Sequence, residues 1–386
     1  MKNRIKNLCI IAGGYPSEKN PVYTFVDQLV CELADRGINC VVISPSSISK
    51  YIIRKINTGP RESIRETKTG NKIKVYRPKY FSFSNKLLNI NTAMITYICF
   101  KRCVLNEFKK RKLTPDAIYG HFIAASGMCA GDIGEVLSIP SFLAYGESST
   151  ENFLVFSRSF IAKKLSKLNG VISVSSENKR ELLDLKLINN SNDIGVFPNG
   201  IDNTRFYKID KGIARKKLGI DDDKFVVAFV GHSIERKGVI VLSNALNQLQ
   251  DVYSIFIGAG SDEPQCKNIL FKGRIPHEQV HIYLNAADVF VLPTLAEGCC
   301  NAIIEAMACG LPIISSDQPF NDDILNTENS IRLDVKDVEA IRQAIVLLRD
   351  NPQLRSKMSE VALISASSLN IKQRAQNIIE FMESKI

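Results

Sequence analysis

Short apolar segments alternate with amphipathic helical segments along the whole chain. The first apolar segment, NLCIIA, precedes YTFVDQLVCELADRG, in which apolar residues recur at the spacing of one helix face. Further strand candidates in the first half of the chain are NCVVIS, DAIYG, SFLAY, GVISVS and IGVFP. This alternation predicts parallel β-sheets that are covered by helices on both faces.

The same alternation starts again in the second half of the chain. The strand candidates there are KFVVAFVG, VYSIFIG, ILFKG, DVFVLP and LPIISS. Helices are predicted from about Lys237 and from about Asn301, and the chain after residue 335 has a mostly helical pattern. The sequence therefore predicts an α/β protein with two Rossmann-like, doubly wound domains.

The segment FPNGIDNTRF, Phe197 to Phe206, carries turn residues without a hydrophobic period, and we interpret it as the hinge between the domains. This predicts an N-terminal domain over residues 1–198, a C-terminal domain over residues 199–367, and a final helix over about 368–386 that crosses back to the first domain. Doubly wound sheets bind ligands at the carboxyl ends of their strands. The two domains are therefore expected to face a central cleft that holds the substrate.

The composition is that of a globular protein, since 45% of the 386 residues are apolar and 23% are charged. The ten cysteines form no Cys-x-x-Cys pair and there are only four histidines, which favours reduced, buried thiols over disulfides or a metal site. The N-terminus starts like a signal peptide, but its apolar run is too short for one. No segment reaches the ~18 apolar residues of a membrane span. We therefore expect a cytoplasmic protein.

Positive charge is concentrated in the first half of the chain. Residues 1–200 hold 29 Lys and Arg against 16 Asp and Glu, whereas residues 201–386 hold 21 against 24. Two apolar-basic stretches, Asn91–Lys112 and Phe156–Gly170, suit helices that lie peripherally on an anionic membrane, or else solvated helices with one buried side. Nucleic acid is not an expected partner, because the chain lacks a motif of interleaved aromatic and basic residues.

Two loops at predicted strand ends have the composition of phosphate-binding loops. Gly13 and Gly14 follow the first strand, and glycines let backbone N–H groups come close to a ligand. Arg236 and Lys237 precede Gly238 in FVGHSIERKG, and two cations at a helix start suit a diphosphate, since acids are normally favoured there. Taken alone, the first loop is also compatible with a plain strand–loop–helix connection, and the second with a solvated charge pair at a helix start.

The stretch AEGCCNAIIEAMACGLPII, Ala296 to Ile314, places Glu297 on a loop and Glu305 one turn inside a short apolar helix. A carboxylate on such a buried helix requires polar partners. Paired carboxylates occur in glycoside hydrolysis. Here, however, the amides at the helix start favour one extended ligand with hydroxyls at its ends and phosphate between them. These amides belong to Gly298, Cys299, Cys300 and Asn301.

Together these motifs resemble the retaining glycosyltransferases of family four, which have the GT-B fold of two Rossmann-like domains. The most specific part of the resemblance is the pair Glu297 and Glu305, with seven residues between them. Supporting motifs follow in order along nearly the whole chain: the N-terminal GG, VFPNGIDNTRF, FVG…ERKG, FIGAGSDE and KGRIPHEQV…YLNAADVFVLPT.

The resemblance implies roles for individual residues. Glu297 would bind the hydroxyls of the donor sugar and act in transfer, and Glu305 would hold the ribose. Lys237 and Arg236 would neutralise the donor diphosphate, and His121, in DAIYGHFIAAS, would lie near the transferred sugar. The implied reaction moves a hexose or N-acetylhexosamine from a UDP- or GDP-sugar to an acceptor hydroxyl of a lipid-linked glycan, with retention, in bacterial surface polysaccharide synthesis. Protein groups would stabilise the leaving diphosphate, so no metal ion or cofactor is expected.

Three positions depart from the family pattern. His232 stands where an arginine is common, and a histidine of pKa about 6.5 is mostly neutral at pH 7. One phosphate-binding cation is thus missing or is supplied by Arg236. The segment NPVYTF lacks the further glycine that many relatives have before the first helix. Tyr145 and Gly146 replace a common His-Gly pair, and we interpret the next residue, Glu147, as an acceptor contact.

Other enzyme classes remain as alternatives. The nearest are a sugar-nucleotide epimerase with the GT-B fold and a phosphorylase that carries pyridoxal phosphate. An NAD-dependent oxidoreductase is more remote, because it requires a Gly-x-Gly-x-x-Gly fingerprint with an acid about 20 residues further on, and the sequence has neither. An epimerase would release nucleotide without an acceptor, so analysis of the products separates it from a transferase.

Overall fold

The computed structural model describes residues 5–17, 20, 22–54, 59–83, 86–87 and 90–386. The chain forms two compact units, of which one comprises Met1–Phe197 with Ala375–Ile386 and the other Pro198–Arg374. Each unit contains one large β-sheet with helices packed against it. Part of the predicted loop after Gly14 lies outside the described residues, namely Glu18, Lys19 and Pro21.

The first unit has an eight-stranded sheet in the spatial order β8-β7-β6-β5-β1-β2-β4-β3. Its strands are β1 Asn7–Ala12, β2 Asn39–Ile43, β3 Glu62–Glu66, β4 Lys72–Tyr76, β5 Ala117–His121, β6 Ser141–Tyr145, β7 Gly170–Ser173 and β8 Ile194–Val196. The neighbours from β8 to β2 pair in parallel, as the alternation of strands and helices predicted. Strand β4, which was not predicted, also pairs in parallel with β2. Strands β5 and β6 are buried at every position, which explains their largely apolar sequences.

Strands β3 and β4 form an antiparallel hairpin at one edge of this sheet, which the sequence did not predict. The sequence of β3, ESIRE, has a single apolar residue, Ile64, and that side chain is 64% exposed. Charged residues on an edge strand keep it from pairing with other chains. Because these residues interrupt the apolar pattern, a search for apolar segments did not find this strand. Two further pairs of two-residue strands lie in the same unit: Ser46–Ser47 with Lys79–Tyr80, and Lys86–Leu87 with Ile90–Asn91.

Helices connect the strands of the first unit. They are α1 Thr24–Asp35, α2 Ile48–Arg54, α3 Ala93–Arg111, α4 Met128–Leu137, α5 Arg158–Leu165 and α6 Ser176–Asp184. Helix α1 buries Val26, Leu29 and Leu33, the apolar face that its sequence predicted. Gly37 follows with a φ of 86°, a left-handed conformation that glycine adopts without strain after a helix end. Among the described residues, no helix combines the length and the apolar character that crossing a bilayer requires.

The second unit has a six-stranded, wholly parallel sheet in the spatial order β11-β10-β9-β12-β13-β14. Its strands are β9 Phe225–Val230, β10 Val252–Ile257, β11 Ile269–Gly273, β12 Val289–Leu292, β13 Ile313–Ser316 and β14 Ser330–Leu333. Five of these were predicted. The sixth, β14, is a partly buried edge strand with the sequence SIRL, which is too short and too polar to stand out.

The helices of the second unit are α7 Lys211–Leu218, α8 Val239–Leu246, α9 Val280–Ala286, α10 Asn301–Ala308, α11 Val338–Asp350 and α12 Pro352–Ser368. The helix predicted from about Lys237 starts at Val239, because Glu235–Lys237 form a separate 3₁₀ turn. Helix α10 starts at the predicted Asn301, and Gly310 follows its end with a φ of 78°.

The last helix, α13 Ile371–Glu383, begins in the second unit, and the chain from Ala375 onward belongs to the first. There its Phe381 ring fills the space beside Gly170 and Gly195, where an added Cβ would stand 3.1 Å from the ring. At its end, Glu383 Oε1 accepts from the amide of Ile5 at 3.1 Å. The C-terminal segment is therefore part of the first unit's packing.

Candidate active site

The loops after β9 and β12 meet at one edge of the second sheet, because these strands are parallel neighbours. The amide of Leu295 donates to the carbonyl oxygen of Arg236 at 2.8 Å. Gly238 has a φ of 72°, and a Cβ there would stand 2.2 Å from the carbonyl oxygen of Pro293. Only glycine permits this close approach, which fixes Arg236 and Lys237 beside the loop after β12.

One carboxylate oxygen of Glu297 accepts hydrogen bonds from three neighbouring side chains. Its Oε1 atom accepts from Lys237 Nζ, from Arg236 Nη1 at 3.1 Å and from Thr294 Oγ1 at 2.7 Å. The side chains of Lys237 and Glu297 are each 11% exposed, whereas that of Arg236 is 35% exposed. The predicted diphosphate cations and the predicted sugar-binding carboxylate therefore form one cluster, on which the arginine is partly open to solvent.

The charge of Lys237 is maintained in this cluster. Burial acts to lower the pKa of Lys237, but the neighbouring Cys300 and Glu297 outweigh burial and raise that pKa above its ordinary value. The lysine is therefore a cation at neutral pH. Two cations that share one carboxylate leave a net positive charge, which favours an anionic ligand.

His232 lies on the exposed part of the loop after β9. The backbone of the loop after β10 packs closely against this loop. A Cβ on Gly258 would stand 1.8 Å from the carbonyl oxygen of Gly231, and one on Gly260 would stand 1.9 Å from that of Ser233. At Gly231, by contrast, an added Cβ would have no neighbour closer than 3.6 Å. The loop is thus rigidly supported while its residues Gly231 and His232 stay accessible.

The residues between the two glutamates lead into α10. Gly298 is buried and Cys299 is half-buried. Asn199 fixes this segment, since its amide donates to Cys299 Sγ at 3.3 Å and its Nδ2 donates to the carbonyl oxygen of Cys299 at 3.1 Å. The predicted hinge sequence therefore holds the loop that precedes the helix.

Cys300 and Asn301 form the start of α10 itself. Cys300 is buried, and burial raises the pKa of its thiol to about 11. The thiol is therefore protonated at neutral pH and is not poised as a nucleophile. The Oδ1 atom of Asn301 is buried and has no hydrogen-bond partner in the described part of the chain.

Glu305 lies within α10 and is 8% exposed, so its carboxylate requires a partner. That partner is His277, whose Nε2 lies 3.0 Å from Glu305 Oε1. The hydrogen bond to Glu305 raises the pKa of His277, although burial of the ring acts in the opposite direction. Sequence reasoning missed His277, and the available signal was a histidine at the start of the short turn that follows β11.

In the first unit, Gly13 and Gly14 follow β1. Gly13 is exposed, and a Cβ there would have no neighbour closer than Ser126 Oγ at 3.8 Å. A Cβ on Gly14 would stand 2.6 Å from the ring of Tyr23. Tyr23 has a φ of 54°, which is rare for a bulky residue, and its side chain is 40% exposed. The glycine loop therefore lies beside an exposed aromatic ring.

His121 is the last residue of β5 and lies within a group of aromatic rings. Its ring centroid is 5.4 Å from that of Phe25 and 4.5 Å from that of Phe122, and the centroid of Tyr23 is 5.5 Å from that of Phe122. Phe122 also has a left-handed backbone, with a φ of 68°. Strained residues of this kind cluster at binding sites. Sequence reasoning missed these three aromatic residues, whose signal was their position next to the glycine loop and the histidine.

Glu147 follows β6 and is 7% exposed. Its Oε1 atom accepts from the amide of Ile123 at 2.7 Å, and its Oε2 atom accepts from the amide of Gly146 at 3.2 Å. Burial raises the pKa of the Glu147 carboxyl to about 8, although these amides act in the opposite direction. Glu147 therefore supports the segment that follows His121, and its contact with an acceptor stays a prediction.

A family model for group 1 glycosyl transferases matches residues 210–363. Over 351 residues, 87% of each protein, the chain is 30% identical to the putative teichuronic acid biosynthesis glycosyltransferase TuaC of Bacillus subtilis. The chain belongs to the group 1 glycosyltransferases. The resemblance of the sequence motifs to a glycosyltransferase family is thereby confirmed at the level of group 1.

This group 1 glycosyltransferase also matches the UDP-Gal:alpha-D-GlcNAc-diphosphoundecaprenol alpha-1,3-galactosyltransferase of Escherichia coli. The two are 28% identical over 205 residues, which cover 48% of this chain and 52% of that protein. Among solved structures it is similar to HepE of Anabaena in complex with UDP, with a TM-score of 0.73 and 16% identity over 98% of this chain and 100% of the other. This similarity confirms the predicted GT-B fold.

In this glycosyltransferase the predicted site residues fall into two groups. The first unit contributes Gly13, Gly14, His121 and Glu147. The second unit contributes the Arg236–Lys237 pair, His232, both glutamates and the segment between them, all within the matched residues 210–363. Within the second group the structure joins Arg236, Lys237 and Glu297 directly, whereas Glu305 is joined to His277.

Proposed function

We propose that this glycosyltransferase moves a hexose or N-acetylhexosamine from a UDP- or GDP-sugar to an acceptor hydroxyl, with retention of the anomeric configuration. The observation that carries the proposal is the cluster of Lys237 and Arg236 around Glu297. Its cations suit the donor diphosphate, and its carboxylate can accept hydrogen bonds from sugar hydroxyls. The UDP in the HepE complex supports a nucleoside diphosphate as the bound part of the donor.

In the proposed reaction, the bond between the anomeric carbon and the diphosphate oxygen breaks, and its electron pair stays on the diphosphate. The acceptor oxygen forms the new bond on the same face of the sugar, and the acceptor proton leaves with the diphosphate oxygen. Negative charge grows on the diphosphate during this step, so Lys237 and Arg236 stabilise the transition state more than the ground state. In this scheme protein cations supply the charge that a metal ion would otherwise provide.

The acceptor is proposed to bind the first unit at His121. The rings of Tyr23, Phe25 and Phe122 beside it offer apolar surfaces of the kind that pack against the faces of sugar rings. A lipid-linked glycan of a bacterial surface polysaccharide fits this proposal. It is supported by the names of two relatives, which refer to teichuronic acid biosynthesis and to a GlcNAc-diphosphoundecaprenol acceptor.

A lipid-linked acceptor requires access to a membrane surface, and the first unit has an exposed apolar surface that suits one. We define it by the residues Tyr51, Ile52, Phe81, Phe83, Met94, Ile95 and Ile98. Its segments are linked, since Ser49 Oγ donates to Ser82 O at 2.6 Å and the amide of Phe83 donates to Thr96 Oγ1 at 2.9 Å. Lys79 Nζ lies 5.5 Å from the centroid of the Tyr51 ring, which adds a cation beside these apolar side chains.

Helix α3 contributes to both the core and this exposed apolar surface. Its residues Tyr97, Phe100 and Phe108 are buried, whereas Met94 and Ile95 near its start are exposed. Its final turn is basic. This basic turn lies at the opposite end of the 19-residue helix from Met94 and Ile95 and does not adjoin them. The predicted membrane-bound helix thus has one face in the core and leaves its N-terminal end available for a peripheral contact.

Vesicle co-sedimentation tests the membrane contact. Vesicles of phosphatidylglycerol should retain the protein and vesicles of phosphatidylcholine should retain much less. Replacing Phe81 and Phe83 by serine should release it, whereas Ile364→Ser, at a side chain that is 70% exposed in the second unit, should not. Equal binding of all variants, or no preference for the anionic lipid, would remove the membrane proposal.

A panel of UDP- and GDP-sugars tests the transferase proposal itself. In the presence of a chelator, one nucleotide sugar should raise the unfolding temperature and should be hydrolysed slowly when no acceptor is present. Lys237→Ala should abolish both effects. Stabilisation by none of the donors would overturn the proposal. A free epimerised sugar as the product, with no need for an acceptor, would point instead to the epimerase alternative.

A further inference from the structure

The carboxylate of Glu305 is oriented by a single neighbouring side chain. Among the described residues, His277 is the one hydrogen-bond partner of this carboxylate, with 3.0 Å between Nε2 and Oε1. The other residues of α10 from Ala302 to Ala308 are apolar, and Asn301, one turn before Glu305, makes no hydrogen bond to its carboxylate in the described part of the chain. Without His277, the carboxylate would be free to rotate about its side-chain torsions.

His277 is itself held from two sides. It starts the short turn His277–Gln279 after β11, and its ring centroid lies 5.2 Å from that of Phe206. The charged groups that face it are Glu305, Arg205 and Glu278, of which the carboxylates favour its protonated form and the arginine opposes it. Cys309 is the further titratable group beside Glu305. The side chain of His277 is 38% exposed, whereas that of Glu305 is 11% exposed.

We propose that His277 is a positioning residue that orients Glu305 for the two hydroxyls of the donor's ribose and thereby sets the selectivity for ribonucleotides. This inference rests on the proposed function, in which Glu305 holds the ribose. A vicinal diol presents two O–H donors, which one carboxylate can accept together only in a limited range of orientations. The hydrogen bond from His277 occupies one side of Oε1 and restricts that range. The remaining acceptor positions of the carboxylate are left for the ligand.

A purely structural role for His277 makes a different prediction. If the hydrogen bond only satisfies a buried carboxylate, its loss lowers the stability of the second unit. The affinity for every nucleotide then falls by the same factor. If His277 orients Glu305, its loss lowers the affinity only for those nucleotides that carry ribose hydroxyls. The ratio of affinities for a nucleotide with and without these hydroxyls therefore separates the two roles.

The experiment measures the dissociation constants of UDP and 2′,3′-dideoxy-UDP by calorimetry, or of the guanine pair if GDP is the tighter ligand. The full chain is compared with Glu305→Gln, His277→Ala and His277→Gln. His281→Gln is the matched control: His281 lies on α9 four residues further on, and its ring stacks on Tyr207 at 5.7 Å. Thermal unfolding of each variant shows whether it is folded.

The affinity of the wild-type protein for UDP should exceed that for the dideoxy analogue by at least about 10-fold. The analogue lacks the ribose hydroxyls that donate to the charged carboxylate of Glu305. Glu305→Gln should bring the ratio close to one. His277→Ala should lower the ratio by about 5-fold or more while the affinity for the dideoxy analogue stays unchanged. His277→Gln, which keeps an N–H donor, should restore most of the ratio, and His281→Gln should match the wild type.

Failure of the inference and failure of the proposed function give different results. If Glu305→Gln leaves the ratio unchanged, the proposed ribose contact of Glu305 is wrong. If Glu305→Gln abolishes the preference but His277→Ala does not alter it, the positioning role of His277 is overturned. An equal loss of affinity for both nucleotides in His277→Ala, with a lower unfolding temperature, also overturns it in favour of a structural role.

Discussion

Arg236 Nη1 lies 3.1 Å from Glu297 Oε1, the oxygen to which Lys237 Nζ also donates. A single carboxylate thus holds both cations at the start of the loop that leads into α10. In the proposed reaction these cations must meet the diphosphate while the carboxylate meets the sugar. The proposal therefore gives Glu297 two tasks, namely to orient the cations and to contact the transferred group.

The two glutamates should respond differently to substitution. Glu297→Gln keeps a side-chain oxygen but removes the charge, so kcat should fall by about 10²- to 10³-fold, the size typical for loss of one stabilising group. The dissociation constant for UDP should change little. Glu305→Ala should markedly lower the affinity for UDP and should have a smaller effect on kcat. Steady-state kinetics and calorimetry on both variants check this, and if both lowered turnover at unchanged affinity, a catalytic carboxylate pair would be the better interpretation.

Gly13→Ala tests whether the loop after β1 faces a ligand. The nearest atom to the added methyl group is Ser126 Oγ at 3.8 Å, so the protein should fold normally, with a stability change within about 0.5 kcal/mol. If the loop backbone approaches the donor, kcat/KM should nevertheless fall by at least about 10-fold. Gly212→Ala, on helix α7, is the control and should leave activity unchanged. Normal activity of Gly13→Ala would show that this loop lies away from the substrates.

His232→Arg restores the residue that is common in the family at this position. His232 is exposed, so the longer side chain of an arginine can extend into solvent. Donor affinity should stay the same or increase by up to about 10-fold, because a guanidinium pairs well with a diphosphate. His281→Arg provides a cation outside the site for comparison. A large loss of affinity in His232→Arg alone would reveal a role of the histidine itself.

The parts of the fold that the sequence predicted are those in which burial is repeated along a segment. Strands β5 and β12 are buried at every position, so their apolar sequences mark them clearly. Strands β3 and β14 lie at sheet edges, where one side or both meet solvent, and their polar residues conceal them. The antiparallel direction of β3 was missed for the same reason, because an unrecognised strand has no predicted partner.

In the candidate site, too, only the residues that a local sequence pattern marks were predicted. Motif spacing led to Glu297, Glu305 and the Arg236–Lys237 pair, since these residues lie close together in sequence or at loops after predicted strands. The contact between His277 and Glu305 joins residues on different elements and depends on how α10 packs, which no local pattern reveals. The left-handed backbones of Tyr23 and Phe122 were equally hidden, because bulky residues rarely adopt them.

Glu147 should make stability depend on pH. Its pKa is raised from 4.5 to about 8 by burial, so between these values the folded protein holds a proton that the unfolded chain has lost. This contribution to stability is present at low pH and is lost as the pH rises through about 8, with a slope of at most about 1.4 kcal/mol per pH unit. Glu147→Gln mimics the protonated acid and should lack this dependence. The variant should therefore gain stability relative to the wild type as the pH rises from 5 to about 8.

Urea unfolding of both proteins at several pH values between 5 and 9 measures this difference. Glu151→Gln, at an exposed carboxyl group on the following turn, is the control and should run parallel to the wild type at every pH. The effect has a local physical origin, since the Glu147 carboxyl accepts from the amide of Ile123 and thus supports the segment after His121. A constant difference between wild type and Glu147→Gln across this range would mean that Glu147 is ionised in the folded protein. Its carboxylate would then be available as the charged acceptor contact that the sequence predicted.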